Sequence, residues 1–171
     1  MEQRIDIAKV APEPYRGIMA FDRYLGEAGT DRSLVHLVRL RMAQLDGCDY
    51  THEIWAKNFV NGGGDSERIE ALADWRNSSS FSERERAALE WAEALAREPG
   101  PVPKDAFERA RSTFTERELV DLTYAVELAH AWNRILLALG GPTKRRPAEA
   151  PAPSSPSDSI TWTTEELDVT Y

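Results

Sequence analysis

Apolar positions in this chain recur every three to four residues as far as about residue 141, and beyond that point they scatter. The first region therefore predicts amphipathic helices, and no two-residue alternation of any length precedes the tail. Punctuation divides the helices. One is expected from Pro14 to Glu27, and a second from Asp31 or Arg32 to Leu45. A third starts near Cys48 and ends at Asn61, where Gly62-Gly63-Gly64 stops it. Asp65 caps a fourth that ends after Trp75. Ser82 with Glu85 reads as a capping box for a fifth, ending before Pro99-Gly100. A short sixth follows Pro103. Thr115 with Glu118 opens the longest helix, which Gly140-Gly141-Pro142 closes. The expected fold is an all-α domain of six to seven helices over residues 1–141.

The longest helix is apolar around most of its circumference between Leu119 and Leu139. Such a helix has to be covered on several sides. A central place in the domain and a subunit interface are both expected of it.

From Pro142 the text becomes PTKRRPAEAPAPSSPSDS, and five of the ten prolines fall there. With little to bury, residues 142–158 read as an extended, solvated linker. Residues 159–171 regain Ile, Trp, Leu, Val and Tyr among threonines and acids. The whole tail is expected to be disordered, with its last segment either inert or a docking peptide.

Composition narrows the function classes. The net charge of −8 is spread along the helices, which argues against a nucleic-acid backbone as partner. Lys144-Arg145-Arg146, the one basic cluster, reads as a solubilising start to the linker. No apolar run approaches the ~18 residues of a membrane span, and the N-terminus lacks the pattern of a signal peptide. A cytoplasmic location, no membrane contact and no cofactor are the expectations. A single cysteine, Cys48, excludes an internal disulfide and a multi-cysteine metal site. His36, His52 and His130 show no ligand spacing such as HExxH, so no metal is expected.

Several stretches together resemble one family. They are LVRLRMAQLDGC at 37–48, DWR at 74–76, FSERERAALEWAE at 81–93, FTERELVDLT at 114–123 and AWNR at 131–134. This order is similar to that of the alkylhydroperoxidase D-like proteins of the carboxymuconolactone decarboxylase superfamily. The resemblance implies a helical fold that assembles into trimers or hexamers. In the family's peroxidases it implies a glutamate, a Cys-x-x-Cys pair and a histidine. The second cysteine attacks peroxide, the first resolves the product, and the glutamate and histidine relay protons.

Those four positions fall on His36, Cys48, Thr51 and Trp55. Only Cys48 keeps the family's residue type. A threonine alcohol is a weak nucleophile at neutral pH without a strong base, so the two-thiol cycle is closed to this chain. One substitute is conceivable on paper. His52 lies four residues after Cys48, about 40° around a helix, and a Cys–His contact at a helix start can generate a thiolate. With His36 one helix earlier, that gives a one-cysteine peroxidase. Asp49 and Glu53 oppose it by adding negative charge. The other readings are a buried, structural Cys48 and a Cys48 that contacts a ligand without covalent chemistry.

His130 and Asn133 read as core or interface hydrogen-bonding residues. In the tail, Trp162 and Tyr171 are candidate anchors for a partner. Thr163, Thr164, Glu165, Glu166 and Asp168 look like the hydroxyl and carboxylate cores that ATP-grasp ligases crosslink into esters. The expected role is a pseudoenzyme domain that carries its tail to a partner or modifying enzyme, as a peptide precursor does. The alternative role is an antioxidant oxidoreductase, a thiol peroxidase using Cys48 with His52.

Overall fold

The computed structural model describes residues 3–27, 31–96 and 100–141. The linker and the 159–171 segment, with every tail residue singled out from the sequence, lie outside the described residues. Among those described, the chain forms α1 (Ile7–Val10), α2 (Pro12–Glu27), α3 (Arg32–Asp46) and α4 (Asp49–Asn61). Then come α5 (Glu67–Ala71), a 3-10 turn (Leu72–Asp74), α6 (Glu83–Leu95), α7 (Lys104–Thr113) and α8 (Glu116–Leu139). The expected helices are all present, and the short α1, capped by the Asp6 carboxylate, adds one.

Helix ends follow local chemistry. Both capping boxes form: Ser82 with Glu85 opens α6, and Thr115 with Glu118 opens α8. Asp65 accepts from the Glu67 N–H at 2.9 Å, starting α5. Gly47 ends α3 in the left-handed region at φ 65°, which releases the chain directly into α4. Gly64 has a different reason to be glycine: a Cβ there would collide with the Phe59 ring.

The centre of the bundle is α3, not the more apolar α8. Its Leu34, Val38 and Met42 pack with Trp91 of α6, Phe114, and Leu122 and Val126 of α8. Its Leu37 and Leu40 turn the other way, onto Phe59 of α4, Leu72, Trp75 and Leu89. Val35 faces Leu25 of α2 and Ala125 of α8. So α3 is surrounded by α2, α4, α6 and α8. By contrast α8 buries one side and leaves Val120, Tyr124 and Leu137 exposed. The central place expected for α8 is therefore corrected. Two ion pairs make α3's position tenable. Arg39 meets Asp22 at 2.7 Å and Arg41 meets Glu93 at 2.7 Å, so its charges are neutralised by neighbours rather than by water. No helix among the described residues is long and apolar enough to cross a membrane.

Candidate functional site

Cys48 stands at the junction where α3 ends and α4 begins. Its N–H donates to the Ala43 carbonyl at 2.9 Å, and its own carbonyl accepts the His52 N–H at 3.0 Å. The thiol is free and wholly buried. No hydrogen bond joins the His52 ring to Cys48 among the described residues, so the two are neighbours in sequence without a direct link through their side chains.

Thr51 occupies the position that the resemblance assigns to the attacking cysteine. It is buried, and its hydroxyl lies 2.6 Å from Asn133 Oδ1 on α8 and 3.1 Å from the Cys48 carbonyl. Asn133 in turn donates through Nδ2 to Asp46 Oδ2 at 2.7 Å. A carboxylate only accepts, so the Asn133 amide must turn its N–H toward Asp46 and its oxygen toward Thr51. The hydroxyl proton is thereby aimed at an amide oxygen, which is no base. Beyond Asp46 the chain of polar groups reaches His130, whose Nδ1 lies 2.8 Å from Asp46 Oδ1, within ion-pair distance but outside hydrogen-bond alignment. His130 is 37 % exposed, so the row runs from a buried alcohol to a surface ring.

The other two family positions meet elsewhere, on the α2 side of α3. His36 and Trp55 have ring centroids 5.9 Å apart. Burial, and then the neighbouring Arg39 and Arg32 charges, hold the His36 ring below its usual pKa and favour the neutral form. The Arg39 guanidinium stacks on Trp55, with 4.7 Å from its carbon to the ring centroid. Its Nη1 pairs with Asp22, while Nε and Nη2 are buried with no hydrogen-bond partner among the described residues.

The structure thus separates what the sequence placed in one motif. Thr51 joins Asn133 and Asp46, His36 joins Trp55 and Arg39, and His52 joins neither group by a side-chain hydrogen bond. Asp46, Asp22 and Arg39 were not singled out from the sequence. Arg39 carried a usable signal, three residues after His36 and hence on its face of the helix. Asp46 carried none, because its partners are 84 and 87 residues away. Among the described residues, no group of three or more His, Cys, Asp or Glu side chains is placed to hold a metal ion.

Comparison with known proteins places this geometry. The carboxymuconolactone decarboxylase family pattern matches residues 12–94. A solved structure from Agrobacterium tumefaciens, described as of unknown function and as a putative antioxidant defence protein AhpD, is 31% identical. The match covers 85% of this chain and 100% of that one, with a TM-score of 0.79. The uncharacterized protein YdfG of Bacillus subtilis is 29% identical over 82% of this chain and 96% of its own length. The uncharacterized protein YnjA of Escherichia coli is 33% identical over 63% of this chain and 59% of its own. With its helices in this order and a full-length relative above 30% identity, the chain belongs to the carboxymuconolactone decarboxylase family.

Proposed function

We propose that this chain is a non-catalytic member of its family, a binding or carrier module that presents residues 159–171 to a partner or modifying enzyme. One observation carries the proposal. The residue at the attacking position is an alcohol whose hydrogen-bond partners among the described residues are the Asn133 amide oxygen and the Cys48 carbonyl, neither of them a base able to activate it. Two further features support it. Cys48 is wholly buried, and Trp55, with the His36 ring packed beside it, holds an indole where an imidazole would relay protons. The alternative, a one-cysteine thiol peroxidase like the antioxidant role named for the Agrobacterium relative, needs peroxide to reach Cys48 and His52 to activate it.

The two are separated by peroxide consumption with a dithiol reductant in the wild-type chain and in Cys48→Ser. Equal background rates are expected. A wild-type rate more than tenfold above Cys48→Ser would instead establish the peroxidase. For the carrier role, the intact mass of the protein from its native host is the direct measurement. A partner-bound tail, or loss of one water for each ester formed between a threonine and an acidic residue, is expected. Assembly into a trimer or hexamer belongs to the same proposal, and exposed apolar side chains such as Leu45, Val60 and Leu137 support it.

A further inference from the structure

A second feature lies on the far face of the bundle and takes no part in the Thr51 or His36 clusters. Between α7 and the first half of α8 runs an open groove of about 820 Å³. Trp91, Phe107, Phe114, Leu119, Val120 and Tyr124 line it. Phe107, Val120 and Tyr124 are 40%, 49% and 50% exposed, which is a large apolar area to leave side by side. The polar groups of the floor are already satisfied. Trp91 Nε1 donates to Thr123 Oγ1 at 3.0 Å, and that hydroxyl donates to the Leu119 carbonyl at 2.7 Å. What the groove offers an occupant is therefore apolar surface, with hydrogen bonding confined to the rim. The rim carries one charge of each sign, Arg111 and Glu116, both exposed, and neither makes an ion pair among the described residues.

We propose that residues 159–171 of the same chain occupy this groove. The segment matches it in chemistry. It supplies Ile160, Trp162, Leu167, Val169 and Tyr171 as apolar groups. Its charged side chains are all acidic (Glu165, Glu166 and Asp168), which suits the Arg111 end of the groove and keeps them away from Glu116, so the apolar match carries most of the fit. It also matches in reach. From the end of α8 at Leu139 back to Leu119 is 20 residues of helix, about 30 Å. The 17 residues from 142 to 158 span about 50 Å when extended, so the segment can return to the groove of its own domain. Tethering makes a weak contact sufficient. A short linker holds its end at an effective concentration on the order of 1 mM, so a free-peptide Kd of ~0.1 mM leaves about nine tails in ten docked.

The inference rests on the carrier reading for its occupant and adds where the domain holds it. A docked tail is shielded until a partner of higher affinity displaces it.

The test uses the full chain and its ¹H–¹⁵N spectrum. In Trp162→Ala, the amides of Phe107 and of Leu119 to Tyr124 should shift. Val120→Asp should move the tail's own amides to the positions they take in Trp162→Ala. Val120 is half exposed, so the fold should survive, and Tyr124→Ser on the same rim serves as a second variant. A synthetic peptide of residues 159–171 should bind full-length Trp162→Ala about tenfold more tightly than it binds wild type, where the native tail competes. Groove amides unmoved by Trp162→Ala, or a peptide that binds both proteins equally, would overturn the proposal. Shifts that vanish on hundredfold dilution would also overturn it, because they assign the groove to a second copy. Failure of the carrier role reads out separately, as an unmodified and unbound tail in the native host.

Discussion

Helices α3 and α8 divide the labour of this bundle in a way that their side chains alone would not suggest. Helix α3 carries Arg32, Arg39 and Arg41, yet Arg39 is 3% exposed and the helix is packed on several faces. Helix α8 is the longer and more apolar, yet Val120 and Tyr124 are about half exposed. The difference lies in the partners. Carboxylates from other elements meet α3, Asp22 from α2 and Glu93 from α6, and a neutralised arginine can be buried with its aliphatic stem packed. On α8, no neighbouring helix among the described residues covers Val120 and Tyr124 in the same way. The lesson is that burial follows where opposite charges and neighbouring helices can be brought, and hydropathy predicts it only when no such pairing exists.

The largest effect expected from breaking this arrangement is at Glu93. Its carboxylate accepts from Arg41, from Trp75 Nε1 at 2.8 Å and from Arg76 at 2.6 Å, and its side chain is only 11% exposed. Glu93→Ala leaves the Arg41 charge inside without its counter-ion, which costs about 3–5 kcal/mol, or about 10 °C in melting temperature. The pH dependence has a definite sign. Burial acts to raise the Glu93 pKa, but the hydrogen bonds from Trp75, Arg76 and Arg41 outweigh it and hold the group low. The folded state therefore binds this proton less readily than the unfolded state. Its stabilisation is complete above the unfolded value near 4.5 and is lost as the pH falls through the folded value. The gap in denaturation midpoint between wild type and Glu93→Ala should be widest at neutral pH and narrow below about pH 4.5.

A smaller effect is expected from Asn133, one of two buried polar residues of α8, the other being Asp121. Asn133→Ala strips Thr51 and Asp46 of a shared partner in a dry setting, at a cost of about 1–3 kcal/mol. The proposed role makes this a stability residue and nothing more. In a cycle with Thr51→Val, the two changes should couple by about 0.5–1.5 kcal/mol in urea denaturation, since each removes one side of the same 2.6 Å bond. Additive losses would mean that the Thr51–Asn133 bond contributes little.

Helix ends were legible in the sequence because they depend on residues within one turn. Ser82 with Glu85, Thr115 with Glu118 and the glycines at 62–64 could be read directly. The choice of central helix could not, because Asp22 and Glu93 lie far from Arg39 and Arg41 in sequence and only the fold introduces them. The candidate site divides in the same way. His36, Cys48, Thr51 and Trp55 were placed by their spacing in a resemblance. That Thr51 meets Asp46 through Asn133, and that Trp55 stacks on Arg39, are facts of helix packing. Helix α1 was missed because four residues are too few for a periodic signal, leaving only the Asp6 cap to mark it.

The smallest stability effect belongs to the exposed side of α8, and it bears most directly on what that side is for. Val38 on α3 is fully buried, and a carboxylate there would have no partner. Val120 is half in solvent, so Val120→Asp removes little packing and gives up only the modest helix propensity difference between two poor helix formers. With the tail undocked, the change in stability should stay within about 0.5 kcal/mol. The comparison should therefore be made in the Trp162→Ala background, where docking is already disabled, and again in the wild-type chain. If the groove holds the tail, Val120→Asp costs more in the wild type than in Trp162→Ala, by the roughly 1.4 kcal/mol that corresponds to tenfold docking. An equal cost in both backgrounds would mean that the apolar face of α8 is simply solvent-exposed surface, and that the contrast with α3 ends at burial.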